Sequence, residues 1–343
     1  MDAENTDREF KGLLSAMDFF QINEGIILTE NSYDLFVQAD KKNYDNARMG
    51  LFRIGTHMQK TAIEDEQWDM ILEPKNRLLD LKIRELIRYR DLIVMFIKRD
   101  FATAYKQTIL GPLWYIVQPL VTTIMYTFVF GNLAQIGTDG IPYVLFYYGG
   151  TMFWTYFTAC LNSAAGCFSS NSGIFGKVYF PRLTVPISTT VGHMIKLGIQ
   201  FATLMVFYIY YIVMKAPVYP SFWVLALPLL VIWVGAMGTG FGMIISALTT
   251  KYRDLNQLLG FGLSLAMYAT PIVYPLSEAP QKFWWVFYVN PMSAPIELFR
   301  IWFYGAGNVP SSMILISLAE TAVFMFFGLV LFNRNERTFV DVI

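Results

Sequence analysis

KRDFATAYKQTILGPLWYIVQPL, residues 98–120, divides the chain into two kinds of sequence. Its first half is charged and amphipathic. Its second half opens a long apolar run, and Gly111-Pro112 stands between them. A proline is tolerated in the first turn of a new helix, because the N–H it lacks would be unpaired there anyway. The stretch therefore predicts a helix on a membrane surface, a break at Gly111-Pro112, and a helix that enters lipid.

Composition agrees on both sides of that break. The chain has 343 residues, 55% hydrophobic and 17% aromatic, too apolar for a soluble domain. Residues 1–110 hold 16 Lys/Arg and 19 Asp/Glu, whereas the other 233 hold only 10 and 7. A charge at a bilayer centre costs about 2.5–3.5 kcal/mol, so a membrane domain has to shed charge in this way. The net charge of zero argues neither for nor against nucleic acid, but no dense basic run with interleaved aromatics occurs, which sets nucleic acid aside. The first 20 residues carry acidic groups and no continuous apolar core, so the first membrane helix is the expected insertion signal. Cys160 and Cys167 fall on one face of an apolar helical pattern, roughly 10 Å apart by the helical rise, and read as small core residues rather than a disulfide.

Upstream, residues 1–67 read as a soluble appendage, too short to bury much core. Residues 68–74, WDMILEP, read as extended before Pro74. From 78 to 109 the pattern is helical: Leu79, Ile83, Leu86, Ile87, Ile93, Phe96, Ile97, Phe101 and Tyr105 recur mostly at steps of three and four, beside a set of cations. A basic amphipathic helix directly before a span reads as interfacial. The expected organisation is thus 1–67 appendage, 68–111 extended segment and interfacial helix, 112–333 membrane domain, and 334–343 cytoplasmic tail.

Downstream, six stretches approach the ~20 residues that a ~30 Å hydrocarbon core requires. They lie near 113–132, 143–166, 190–214, 221–248, 257–275 and 312–332. Cations favour one set of alternate connections: Lys98, Arg99 and Lys106; Lys177 and Arg182; Lys251 and Arg253; Arg334 and Arg337. The other set holds only Lys215, Lys282 and Arg300. The positive-inside rule then puts both termini in the cytoplasm. Residues 276–311 are rich in tryptophan, tyrosine, phenylalanine and proline, and predict two short helices that enter the outer leaflet and return. Gly235, Gly238, Gly240 and Gly242 predict close helix packing in the fourth span.

The chemistry that is missing narrows the function. No phosphate loop occurs: Gly176-Lys177 comes nearest, but Val178 follows and Asn171 stands where the first glycine belongs. With only His57 and His193, and no thiol or carboxylate cluster, no metal site is expected. No catalytic triad or carboxylate pair stands out, so the expectation is no catalysis on this chain and energy supplied by a separate ATPase. Its best dock is NSGIFGKVYFPRLTVP, residues 171–186, where Phe175, Val178, Tyr179 and Phe180 form an apolar knob rimmed by Lys177 and Arg182. The bland alternative is a knob that packs on its own helices. Lys98, Arg99 and Lys106 face lipid headgroups; Lys196 is expected to snorkel, and Glu320 to pair with Arg300. Aromatic rings suit the flat faces of sugars, and Tyr126, Phe130, Tyr147, Phe153 and Tyr268 are the candidates for a conduit wall.

Several of these pieces recur in one order. KRDF at 98–101, YKQT at 105–108, LGPLWYIVQPL at 110–120, IFGKVYFPRLTVP at 174–186, KYRDL at 251–255, TPIVYP at 270–275 and NPMSAPIELFR at 290–300 resemble the membrane subunit of ABC-type polysaccharide exporters, which move O-antigen, teichoic acid and capsule chains. The resemblance runs from residue 68 to the end. It implies an all-α integral membrane fold, with six transmembrane helices, an N-terminal amphipathic interfacial helix and two short re-entrant helices before the last span. It implies a gate helix carrying Lys98, Arg99, Asp100, Tyr105 and Lys106. A coupling helix would use Phe175, Lys177, Tyr179, Phe180, Pro181 and Arg182. Two copies of this chain would form the channel in the inner membrane. Two copies of an ABC ATPase would supply ATP and Mg, and the cargo would be a lipid-linked polysaccharide. The alternatives are an ABC exporter of a drug or simple lipid, and an integral membrane acyl- or glycosyltransferase; the latter would cluster acidic or histidine residues at one interface.

Overall fold

The chain divides into two units, Met1–Pro74 and Lys75–Ile343. The computed structural model describes residues 83–106, 109–175, 180–249 and 254–340, all in the second unit. The expected appendage, the extended segment at 68–74, the loop tip with Lys177, Val178 and Tyr179, and Lys251 and Arg253 lie outside the described residues.

Every regular element among the described residues is helical. Helix α1 (Ile83–Arg88) and α2 (Arg90–Tyr105) form the segment before the break. The break falls where the sequence puts it. Gly111 adopts φ +48°, a left-handed conformation that costs glycine little, and Pro112 sits in the 3-10 turn Gly111–Leu113. Helix α3 (Trp114–Tyr126) follows and widens into a π-helical segment at Thr127–Leu133. Then come α4 (Tyr143–Ala165), α5 (Cys167–Phe175), α6 (Thr184–Val213), α7 (Leu227–Thr249, after a 3-10 turn at Phe222–Ala226) and α8 (Leu255–Tyr268). Two short helices, α9 (Trp284–Val289) and α10 (Ser293–Tyr304), precede α11 (Ser311–Val340).

Among the described residues, four helical stretches are long and apolar enough to cross a membrane: Gly111–Leu133, Thr184–Val213, Phe222–Thr249 and Ser311–Arg334. The other two expected spans differ for separate reasons. Helix α4 is 23 residues long, but its tyrosines, threonines, glycines and asparagine make it less apolar. Helix α8 has only 14 residues, short of the ~20 that a full crossing needs. It stops at Tyr268 because Thr270-Pro271 disfavours further helix, and Asn290 fastens the end: its Nδ2 donates to the Ala269 carbonyl at 3.1 Å and to Thr270 Oγ1 at 2.7 Å. Helix α11 continues without a break into the expected tail, as far as Val340.

Helix α4 is the centre of the bundle, with α7, α6, α3 and α10 packed around it. Helix α7 lies between α4 and α11, and its glycines explain the close fit. A Cβ at Gly238 would meet the Phe157 carbonyl of α4 at 2.7 Å, and one at Gly240 would meet the Met325 nitrogen of α11 at 2.9 Å. Gly242 rests on the Leu161 carbonyl and Gly328 on that of Gly240. Interhelical hydrogen bonds stitch the same bundle: Thr190 to Thr239 at 2.6 Å, and Trp233 Nε1 donating to Thr321 at 2.9 Å. Cys160 and Cys167 are buried free thiols.

Candidate functional site

The loop expected to dock a partner is rooted in the protein's own core. Phe175 at the end of α5 and Phe180 before α6 are buried. Phe180 meets the edge of Phe96 from α2 at 5.6 Å and lies 5.7 Å from Phe175; Phe175 packs on Phe168, which stacks on Phe332 of α11 at 4.7 Å. The guanidinium of Arg182 lies over Phe175 at 5.4 Å. The expectation of an outward apolar knob is corrected for these two phenylalanines: burial removes them from any partner's reach. Pro181 is half-buried beside them.

Helix α2 is tied to this aromatic node through Phe96. Of its expected headgroup cations, Lys98 and Lys106 are exposed. Arg99 is half-buried, stacks over Phe96 at 4.7 Å, and holds Asp100 Oδ1 through Nη2 at 2.8 Å and Nε at 2.9 Å. The side chain of Tyr105 lies outside those described. Helix α2 packs on α6, where Ser163 of α4 is 2.7 Å from His193 Nε2 and the Lys196 ammonium lies 5.2 Å from the Tyr115 ring.

Three of the expected conduit aromatics converge. Tyr126 meets Phe130 at 5.5 Å and Tyr147 at 6.1 Å, both edge-on, between α3 and α4. Tyr147 and Phe153 are fully buried; Phe153 packs on Phe299 of α10 at 4.9 Å. In a single chain these two rings are core rather than conduit, because α4 is enclosed by its neighbours. Tyr268, at the end of α8, is exposed, and the residue before it, Met267, accepts a hydrogen bond from the Tyr126 hydroxyl at 3.6 Å.

The pairing of Glu320 with Arg300 is also corrected. Arg300 binds Glu297 of its own helix, Nη1 to Oε1 at 2.7 Å, with both side chains buried. Its guanidinium lies 3.6 Å from the centre of the Phe146 ring, and Nη2 donates to the Ile272 carbonyl at 3.4 Å. Glu-x-x-Arg in an otherwise apolar helix is the signal that points to this pair, since residues three apart share a helical face. Helix α10 is further held by Tyr304, whose hydroxyl donates to the Leu145 carbonyl at 3.0 Å.

Residues 91–304, from the start of α2 to the end of α10, match the ABC-2 type transporter family. The chain belongs to that family.

Named relatives of this ABC-2 type transporter chain share most of its length. The O-antigen export system permease protein RfbA of Klebsiella pneumoniae is 28% identical over 254 residues, 74% of this chain and 95% of the relative. A protein of the same name from Myxococcus xanthus is 24% identical over 76% of this chain and 98% of its own. The polysialic acid transport protein KpsM of Escherichia coli is 22% identical over 70% and 91%. Family and apolar helices together make this ABC-2 chain a multi-pass membrane protein and a transport component.

Proposed function

We propose that this chain is the transmembrane subunit of an ATP-driven exporter that moves a lipid-linked polysaccharide across the cytoplasmic membrane. The observation that carries the reading is coverage: relatives named for O-antigen export align over 95% and 98% of their own length, not over one shared motif. The energy comes from a partner ABC ATPase, two copies of which bind ATP and Mg. Two copies of this chain form the conduit. Six crossings complete the subunit, with α4 as the second, α8 together with the turn at 269–275 as the fifth, α9 and α10 as re-entrant helices, and both termini in the cytoplasm. The outward apolar residues of α2, Val94 and Met95, suit a helix lying against lipid, with Lys98 and Lys106 at its headgroups. Conduit contact falls to Tyr126 and Phe130, which are only partly buried, and to exposed Tyr268.

Coupling has a physical route in this reading. The loop tip at Lys177 and Tyr179 is the part that meets the ATPase. Its two roots, Phe175 and Phe180, are packed with Phe96, so displacement of the loop pulls on α2. The dimer has support in α8, whose outer face presents Asn256, Gly260 and Ser264 at four-residue steps. Small residues at that spacing let membrane helices approach closely.

The test is reconstitution in vesicles with and without the cognate ATPase. Transfer of a lipid-linked glycan is expected only with ATPase and ATP together. Full transfer by this chain alone overturns the reading.

A further inference from the structure

Between α2, α4 and α6 lies a cavity of about 200 Å³ that the proposed conduit and coupling route do not use. Its wall includes Asp100 of α2, Ser163 of α4, and Thr189, His193 and Lys196 of α6. Lys196 forms no ion pair with a carboxylate among the described residues; its neighbour is the Tyr115 ring. His193 Nε2 is engaged with Ser163, while its Nδ1 is buried without a hydrogen-bond partner. The one acidic group is already matched, because Arg99 holds Asp100 through two nitrogens. What remains is a single unmatched positive charge beside an imidazole; the Thr189 hydroxyl donates to the Pro186 carbonyl at 3.0 Å and that of Ser163 is taken by His193. A metal cation would meet that ammonium with its only carboxylate already committed. An oxyanion would find in the Lys196 ammonium both a charge partner and a hydrogen-bond donor.

The depth of the cavity selects among oxyanions. Lys196 lies twelve residues into α6, about 18 Å from its start at 1.5 Å per residue. From Leu197 to Val213 the helix carries no charge for 17 residues, about 25 Å, close to a hydrocarbon core of ~30 Å. The ammonium thus sits where that uncharged run ends and headgroups begin. We propose that this cavity holds the phosphate oxygens of an anionic lipid headgroup, which seats α2 on α6. The cavity is too small for a glycan, and the inference stands apart from the identity of the cargo.

Native mass spectrometry of the full-length chain in detergent, titrated with phosphatidylglycerol or phosphatidylcholine, tests this. One tightly retained phosphatidylglycerol is expected, with phosphatidylcholine weaker. Lys196→Gln should lower that retention about fivefold or more, the scale of one lysine at an anionic surface. Lys196→Arg should keep most of it, and Lys282→Gln, outside the cavity, all of it. A second arm follows thermal melting with inorganic phosphate. If phosphate stabilises the wild type but not Lys196→Gln, and no phosphatidylglycerol is retained, a free anion is the occupant and the lipid assignment is overturned. Equal lipid retention by wild type and Lys196→Gln, with no phosphate effect, overturns the site itself. Should Lys196→Gln fail to fold, Thr189→Glu, which sets a carboxylate in the same cavity, replaces it with the same outcomes.

Discussion

Arg300 is the largest fully buried side chain among the described residues, and its charge is met by Glu297, the face of Phe146 and one carbonyl. Removing one member of a buried ion pair strands the other, at about 3–5 kcal/mol, whereas replacing both with groups of similar size is often close to neutral. Glu297→Leu is therefore expected to lower the melting temperature in detergent sharply. Glu297→Leu/Arg300→Met should recover much of the loss; a double variant as unstable as the single would refute the pairing. On α2, Lys98→Gln/Arg99→Gln should reduce glycan export more than membrane insertion, measured by surface glycan against the amount of chain in the membrane fraction. Equal loss of both would reject a gating role. The sequence made Gly111-Pro112 legible because its backbone needs are local. It did not disclose the partner of Arg300, since burial of a charge depends on which helices surround it, and the pair was assigned to Glu320 instead of the residue three places away. Phe175 and Phe180 were misread for the same reason: apolar loop residues look identical in sequence whether they face a partner or their own bundle.

At the level of elements, the fit of α7 between α4 and α11 rests on the absence of side chains. Gly238→Val and Gly240→Val press a side chain against neighbouring backbone, and overpacking of this kind typically costs about 1–3 kcal/mol. Both variants should melt earlier than the wild type. Gly198→Ala, in α6, meets nothing within 4 Å and should not lower the melting temperature. These glycines were readable because their four-residue neighbourhood falls on a helix already marked by hydropathy. The extent of α8 was not. An apolar window measures the cost of leaving water, and it continues through 269–275, but the backbone turns at Thr270-Pro271, where Asn290 secures it. Hydropathy also understated α4, whose Tyr147, Tyr148, Tyr156 and Thr151 are buried by neighbours that only the fold supplies.

For the whole molecule, the proposed pairing of two chains is open to a direct test. Cys160 and Cys167 are buried, so an introduced thiol is the accessible one among the described residues. Ser264→Cys, on the outer face of α8, is expected to give a reductant-sensitive covalent dimer in membranes on mild oxidation, seen as a doubled mass on a gel. Recovery of monomer alone would remove α8 from the contact. Helix α11 has a different consequence. At 30 residues it extends about 45 Å, some 15 Å more than a hydrocarbon core of ~30 Å, and its apolar stretch ends at Arg334. The surplus is a stiff rod continuous with Phe332 in the aromatic node. A fluorophore fused there would inherit the tilt of the final helix instead of tumbling on a tether, so its anisotropy would report the orientation of that helix from the far end.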